Sequence, residues 1–251
     1  MSRRENADLR CERCHMHQPL CICDQLPSLA TRSRLVLLVH YREARKPTNT
    51  GMLTATCLQS ATMHVLGEGT AAQPAAERPD FGQLIAADEQ AVLLFPADDA
   101  VPIDAWVRAA APTRPILIVP DGNWRQASKM RGRIPGLNAL PCVTLPTAAP
   151  TAYRLRAEPK DGGLATLEAI AHALFHLEGE TGPAVAAELT RVFQLMVERT
   201  LWLRGALPLH AVTGGIPDAA LEFYRKRSHA AGGLARGATN LRNPGSKKNS
   251  K

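Results

Sequence analysis

Long apolar runs and aromatic residues are both scarce in this chain of 251 residues. No apolar stretch approaches the ~18 residues that cross a bilayer, so we expect no transmembrane helix. The first residues, MSRRENADLRCERC, lack the apolar segment that a secretory signal contains. Aromatic residues make up only 4% of the chain, which makes each tryptophan conspicuous. These absences predict a cytoplasmic protein that makes no use of a membrane.

Acidic residues are absent from residues 225–251, which contain eight Lys or Arg residues. The chain has 30 basic and 23 acidic residues, so 22 basic residues remain against 23 acidic ones, and residues 1–224 carry about −1. The net charge of +7 therefore belongs to the C-terminal segment, whose polar, Gly-rich composition predicts a basic disordered tail over 225–251. Within residues 1–224, the positive charges are clustered in three basic patches, each beside a candidate site loop. Such patches favour a polyanionic substrate.

Four of the six cysteines lie within residues 11–23, in the pattern C-E-R-C-H-M-H-Q-P-L-C-I-C. A Cys-x-x-Cys pair folds two thiolates onto one ion, and a second pair completes a tetrahedral zinc shell. The spacing therefore predicts a structural zinc site in a Cys-rich element over residues 1–30, with His15 or His17 as a possible replacement for one thiolate. A redox pair or unbound thiols are the alternatives. The metal ligands are expected to be Cys11, Cys14, Cys21 and Cys23.

Short apolar runs alternate with helical stretches over residues 31–224, which we interpret as one catalytic domain. The runs at 35–39, 91–95, 116–119 and 142–145 are typical of strands buried on both faces. Helices are expected over 52–63 and 103–110 and from Pro183 to Gly205. A further helix is expected after the Gly162-Gly163 loop, with apolar positions 167, 170, 171, 174 and 177. This alternation predicts an α/β fold with a mainly parallel sheet and helices on both of its faces.

The stretch ILIVPDGNWRQASKM at residues 116–130 places a carboxylate, Asp121, and an indole, Trp124, after a buried strand and before a basic helix. Ligands of open α/β sheets bind at this edge. Alternatively, Asp121 only caps the helix and Trp124 only packs. A second turn, Asn49-Thr50-Gly51, opens another helix and suits either an anionic group or plain capping.

Several of these stretches together resemble the DTW domain family. The matching motifs, which extend over roughly residues 11–203, are C-x-x-C…C-x-C, then RKPTNTG at 45–51, LFP at 94–96, DGNW at 121–124, and YRLR…LATLEA at 153–169. None of these motifs alone is specific for the family, but their occurrence together in this order is. Two positions differ from the family pattern: Asn123 stands where threonine is usual, and Ala165 removes a hydroxyl.

The resemblance implies a fold related to the SPOUT methyltransferases, with a parallel sheet and a knotted cofactor pocket. It also implies S-adenosylmethionine as co-substrate and tRNA as substrate. The group moved is 3-amino-3-carboxypropyl, which is delivered to N3 of a uridine, and 5′-methylthioadenosine is released. We expect a monomer.

With that chemistry, Asp121 becomes the candidate base for the N3 proton of uridine. The candidate cofactor contacts are Thr50, Pro96, Trp124, Arg154, Leu155 and Thr166. RNA is expected to approach over basic side chains, namely Arg45, Lys46, Arg125, Lys129 and Arg156. Two other functions stay open: a methyltransferase of the same fold class, and a zinc-containing RNA-binding protein without activity.

Overall fold

The computed structural model describes residues 9–67, 79–146, 151–153, 155 and 163–230. The chain divides into two compact units. The first unit comprises Met1–Gln25, Ala152–Ala157 and Val192–Lys251, and the second comprises Leu26–Thr151 and Glu158–Arg191. N-terminal residues up to Gln25 thus share a unit with the C-terminal part of the chain. The domain boundaries that the sequence suggested stay predictions.

The second unit is built on a parallel six-stranded sheet with the order β2-β1-β5-β3-β6-β4. Five consecutive residues are buried in each of the two inner strands β1 and β5. Because successive side chains of a strand point to opposite faces, both faces of the sheet are covered here. This confirms the predicted α/β class; the knot stays a prediction. The strands are β1 (Arg34–His40), β2 (Ala61–Leu66), β3 (Gln90–Leu94), β4 (Val101–Pro102), β5 (Pro115–Asp121) and β6 (Cys142–Thr144).

The helices of the described residues begin and end close to the predicted positions in several cases. Helix α4 has the predicted bounds, α7 lies within two residues of its own, and α6 contains the predicted apolar positions 167 to 177. The helices are α1 (Tyr41–Ala44), α2 (Thr50–Cys57), α3 (Phe81–Leu84), α4 (Ile103–Ala110), α5 (Trp124–Arg133), α6 (Thr166–Leu177), α7 (Gly182–Leu203) and α8 (Asp218–Ala230).

The helix predicted over 52–63 is wrong in its second half. Helix α2 ends at Cys57, and the edge strand β2 begins at Ala61. A bridge between Leu29 and Leu58 ends the helix here. The Leu29 amide donates to the Cys57 carbonyl, and the Leu29 carbonyl accepts from the Gln59 amide. Such a long-range pairing leaves no periodic pattern in the local sequence. Strand β4, only two residues long, was also not predicted.

The predicted tail is only partly described. Helix α8 extends to Ala230, so residues 225–230, which the composition assigned to a disordered segment, are helical. Residues 231–251 lie outside the described part of the chain. Among the helices of the described ranges, none combines the length and the apolar character that a bilayer crossing requires.

Candidate active site and metal centre

Asp121 is the last residue of β5, at the carboxyl edge of the sheet. Its pairing partner in β1 is Val39, next to His40 at the end of that strand. The side chain is nearly buried, with 6% of its surface exposed. A carboxylate that is buried to this extent requires hydrogen-bond donors.

Two donors from separate segments hold the Asp121 carboxylate. Asn49 Nδ2 donates to Oδ2 at 2.5 Å, and Thr166 Oγ1 donates to Oδ1 at 2.6 Å. Asn49 is the N-cap of α2 and Thr166 is the first residue of α6. Two helix N-termini therefore face one carboxylate, and their partial positive charge stabilises its negative charge. A Cβ at Gly51 would lie 3.1 Å from Asp121 Oδ2, so the close approach of α2 depends on glycine there.

The alternative that Asp121 caps α5 is wrong, because Asn123 caps this helix. Asn123 Oδ1 accepts from the Gln126 amide at 3.0 Å, and Gln126 Oε1 accepts from the Asn123 amide at 2.8 Å, which completes a capping box. A Cβ at Gly122 would lie 2.9 Å from the Gln126 Cβ, so glycine makes room for this box. Asparagine in place of the usual threonine at position 123 therefore still caps helix α5.

His40 joins the same edge as a neutral acceptor. Burial lowers the pKa of His40, and the positive charge of Arg42 lowers it further. Its Nδ1 accepts from the Arg42 amide at 3.2 Å and lies 3.1 Å from Gln126 Nε2. Burial penalises the charged imidazole, and two donors around one ring nitrogen agree with the neutral form. The contact with Gln126 ties the end of β1 to the first turn of α5.

Thr50 replaces the cap that α6 lacks. Ala165, the N-cap residue of α6, has no side chain that can accept a hydrogen bond. Instead, Thr50 Oγ1 accepts from the backbone amide of Leu167 at 3.3 Å. An N-cap side chain normally accepts from this second or third amide of a helix. The hydroxyl lost at Ala165 is therefore replaced by one from the start of α2.

We expect Thr50→Val to lower the stability of the protein by about 1 kcal/mol, the usual cost of losing a cap. Ala165→Ser should restore much of that loss in the Thr50→Val background, because serine supplies a local cap. In the wild-type background the same Ala165→Ser change should have a smaller effect. Urea unfolding of the four proteins measures this coupling, and equal effects of Ala165→Ser in both backgrounds would contradict it.

An aromatic pair lies where β3 and α5 meet the carboxyl edge. Trp124 is the first residue of α5 and is 42% exposed. The ring centroids of Trp124 and Phe95 lie 6.5 Å apart in an edge-to-face arrangement, and Arg131 lies over the Phe95 ring at 5.7 Å. Pro96 follows Phe95 directly. Phe95 and Arg131 were not among the predicted site residues.

The predicted RNA contacts differ in how available their charges are. Arg45, Arg125 and Lys129 are exposed. Lys46 Nζ instead pairs with the buried Glu43 carboxylate at 2.5 Å, which offsets part of its positive charge. The sequence prediction for Lys46 did not include this ion pair with Glu43, which lies three residues earlier.

Tyr41 adds an aromatic surface that the sequence analysis did not single out. The Arg42 and Arg45 guanidinium groups lie 5.5 Å and 5.6 Å from its ring centroid. Arg42 Nε also donates to the Tyr41 hydroxyl at 2.9 Å. The sequence H-Y-R-x-x-R already places two arginines close to this tyrosine along the chain. Its link to the candidate site comes from the sheet, because β1, which ends just before Tyr41, pairs with β5.

Three predicted residues are not placed at this edge. Arg154 and Arg156 lie outside the described residues. Leu155 belongs to the first unit, where its side chain is buried and its carbonyl accepts from Arg204 at 2.9 Å.

The first unit contains the cysteine cluster. The sulfur atoms of Cys11, Cys14, Cys21 and Cys23 all lie within 4.8 Å of one another, and no cysteine of the chain is in a disulfide. The Cys11–Cys23 and Cys14–Cys21 sulfur pairs are separated by 3.4 Å and 3.6 Å. A tetrahedral shell with Zn–S bonds of about 2.3 Å requires sulfurs about 3.8 Å apart. The four thiols therefore fit a structural zinc ion.

The backbone around Cys11 supports a thiolate. Burial opposes ionisation, but hydrogen bonds from the Cys14 and Arg13 amides and from neighbouring thiols lower the pKa of Cys11 to about 7. The turn closes through His15, which has a positive φ of 57° and donates its amide to the Cys11 carbonyl at 2.9 Å. Thiolates are the form that binds metal.

His17 has a different partner. Its Nδ1 is hydrogen-bonded to the Tyr224 hydroxyl, and the two rings stack with centroids 5.6 Å apart. Among the described residues, the group of side chains that could hold a metal contains the four cysteines and neither histidine. The structure thus favours four thiolates over a mixed ligand set.

Three curated relatives are named tRNA-uridine aminocarboxypropyltransferase 2. The Drosophila melanogaster protein is 31% identical over 171 residues, 67% of this chain and 66% of that protein. The Macaca fascicularis protein is 27% identical over 171 residues, 67% of this chain and 56% of that protein. The Mus musculus protein is 27% identical over 179 residues, 69% of this chain and 59% of that protein.

This chain therefore covers less than two thirds of each relative's length. No solved structure matches it. The family model of the DTW domain, in contrast, matches residues 8–201, which include both the cysteine cluster and Asp121. The chain belongs to the DTW domain family.

Proposed function

We propose that this protein transfers the 3-amino-3-carboxypropyl group of S-adenosylmethionine to N3 of a uridine in tRNA. The match of residues 8–201 to the DTW domain, together with the names of the curated relatives, carries the proposal. The carboxyl-edge position of Asp121 is consistent with it, since open α/β sheets bind ligands at this edge. That the chain acts in the cytoplasm as a monomer stays a prediction.

Bound S-adenosylmethionine supplies a sulfonium, whose three carbons are open to attack and whose release as a neutral thioether drives transfer. The protein decides which carbon faces the nucleophile, so orientation is its main contribution. Attack by uridine N3 forms the N–C bond, breaks the S–C bond and leaves 5′-methylthioadenosine. The N3 proton must go to a base, because protonated uridine N3 is a poor nucleophile.

We assign this proton to Asp121. Asn49 and Thr166 each donate to one of its oxygens, and a carboxylate oxygen can accept more than one hydrogen bond. The two donors also fix the orientation of the carboxylate and leave its negative charge in place between the N-termini of α2 and α6. A fixed anion beside the substrate nitrogen is the arrangement that general-base catalysis requires.

The co-substrate contacts are proposals of the same kind. The Thr50 hydroxyl accepts from Leu167 and retains its hydrogen as a donor for a carboxylate. Trp124 is 42% exposed, and its indole would stack against a base; its ring lies edge-to-face with Phe95, which precedes Pro96. Thr166 acts through Asp121, to which it donates. The contacts of Arg154 and Leu155 with the co-substrate stay predictions from the family resemblance.

For RNA, we propose a docking surface made of exposed cations directly after α1 and on α5. Arg45, Arg125 and Lys129 contribute charge, with Arg156 as a further member outside the described residues. Lys46 contributes less, because Glu43 offsets it. Removing Arg125 and Lys129 together should lower the slope of log affinity for tRNA against log salt by about two. A binding series at several salt concentrations measures this slope, and an unchanged slope would exclude both residues.

We also propose that Cys11, Cys14, Cys21 and Cys23 hold one structural zinc ion. The separations of the sulfurs support it. A shell of four protein ligands leaves no open position for substrate, so the metal would stabilise the fold of the first unit.

The reaction itself is tested with two isotopically labelled samples of S-adenosylmethionine. One sample has its label in the S-methyl group and the other in the carboxyl group. We expect purified protein to give a tRNA nucleoside that is heavier than uridine by the aminocarboxypropyl group and contains only the carboxyl label. Mass spectrometry of digested tRNA reads this directly.

Two other outcomes would contradict the proposal. A methyl label in the nucleoside would identify a methyltransferase. Binding of tRNA with neither label transferred would indicate a zinc-containing RNA-binding protein. Heat-denatured protein is the control for spontaneous alkylation.

A further inference from the structure

Arg199, on helix α7, is a buried guanidinium without a carboxylate partner. The residue is 2% exposed. Its Nη1 donates to the Cys21 carbonyl at 3.0 Å and reaches the Leu20 carbonyl at 3.4 Å. Its Nε has no hydrogen-bond partner among the described residues. A buried charge that is held only by neutral carbonyls is costly unless an anion lies close by.

The groups that act electrostatically on Arg199 all belong to the cysteine segment. Asp24 acts on it electrostatically, but no carboxylate oxygen of the described residues forms an ion pair with it, and Asp24 is exposed. The other two influences are Cys21, whose carbonyl Arg199 binds, and Cys14, which is 3% exposed. The guanidinium therefore binds the backbone of one candidate zinc ligand, Cys21, and interacts electrostatically with a second, Cys14.

A zinc ion with four thiolates has a net charge of −2, from four negative charges and two positive ones. Such a site gains from a nearby cation and from groups that orient its ligands. Arg199 offers both, because its buried charge interacts electrostatically with Cys14 and Cys21 and its Nη1 holds the backbone of Cys21. In the metal-free protein, the same cation would lie beside thiols rather than beside metal-bound thiolates.

We propose that Arg199 is the buried counter-charge of the zinc site and positions Cys21 for metal binding. This inference rests on the zinc site proposed above. Arg199 would act on metal retention through charge and through the Cys21 carbonyl. Helix α7 and the cysteine segment would then depend on each other, since loss of the metal leaves a buried cation without its anion.

The alternative is that Arg199 only packs and donates hydrogen bonds. Two substitutions separate charge from hydrogen bonding. Arg199→Lys keeps the positive charge and one donor group, whereas Arg199→Gln keeps a donor group and removes the charge. Arg191→Gln is the matched control on the same helix, because Arg191 is partly exposed and pairs with Glu188 at 2.9 Å.

The experiment measures how fast a chromogenic chelator removes zinc from the full-length protein. We expect Arg199→Gln to release zinc about 10- to 100-fold faster than wild type, the range seen when groups that support a metal's ligands are removed. Arg199→Lys should release it within a few-fold of the wild-type rate, and Arg191→Gln at the wild-type rate. The rise in melting temperature that zinc produces should shrink in Arg199→Gln but not in Arg199→Lys.

The outcomes distinguish this inference from the zinc site itself. If the wild-type protein contains no zinc, the metal site is wrong and the inference is overturned with it. If wild type contains zinc but Arg199→Gln and Arg199→Lys release it at the same rate, the metal site stands and the counter-charge role is wrong. Should Arg199→Gln not fold while Arg199→Lys folds and retains zinc, the need for charge at this position is upheld.

Discussion

Asp121→Asn should reduce the rate of aminocarboxypropyl transfer about 100- to 10,000-fold, the usual cost of losing a general base. Asparagine retains the size of aspartate but cannot take up the N3 proton. The measurement is single-turnover transfer to tRNA with enzyme in excess, which reports the chemical step without product release. The affinity for S-adenosylmethionine should change little, because the carboxylate acts on the uridine.

The surroundings of Asp121 make asparagine a mild substitution for the fold. An asparagine oxygen can still accept from Asn49 Nδ2. The amide group would face Thr166, whose hydroxyl can turn and accept instead of donating. We therefore expect a melting temperature close to that of wild type. A matched control is Asp104→Asn, since Asp104 lies on α4 and pairs with Arg108 away from this network.

A purely structural role for Asp121 predicts a different pattern. If the carboxylate only ties α2 to α6, Asp121→Asn should be nearly harmless, because asparagine keeps both contacts, whereas Thr166→Val should cost more activity, because it removes one of them. If Asp121 is the base, Thr166→Val leaves the carboxylate in place and should cost far less activity than Asp121→Asn. Near-normal transfer by Asp121→Asn would rule out the base and leave deprotonation to water or to the RNA.

Cys14→Ser should abolish stoichiometric zinc binding and strongly destabilise the first unit. Cys14 is the most buried of the four cysteines, and its sulfur lies 3.6 Å from that of Cys21. Structural zinc contributes roughly 10–16 kcal/mol in small zinc-binding peptides, so its loss exceeds the whole stability of an ordinary domain. Elemental analysis should find about one zinc per wild-type chain and much less in the variant.

The control for Cys14→Ser is Cys57→Ser. Cys57 is fully buried outside the cluster and donates to the Leu53 carbonyl at 3.3 Å, a bond that a serine hydroxyl can also form. Its zinc content should equal that of wild type. A thermal melt with and without chelator completes the test. A wild-type protein that melts at the same temperature in both conditions would contradict the metal site.

Local patterns in the sequence determined much of the sheet. The apolar runs became β1, β3, β5 and β6, because a strand buried on both faces needs apolar residues at successive positions. Helix α4 matched its predicted bounds for a related reason, since one of its faces is apolar. The cysteine spacing likewise brought four sulfurs together, because those residues are close along the chain.

Only the tertiary structure decided how the site is assembled. The order of strands places β1 beside β5, so Asn49 and Asp121 meet although 72 residues separate them. Thr166 comes from a third segment, and Thr50 caps a helix that begins more than a hundred residues later. Strand β2 and the pairing of His17 with Tyr224 also depend on distant partners. Periodicity and spacing report only what a residue does with its near neighbours, whereas these contacts exist because packing the core brings remote chain segments to the same edge.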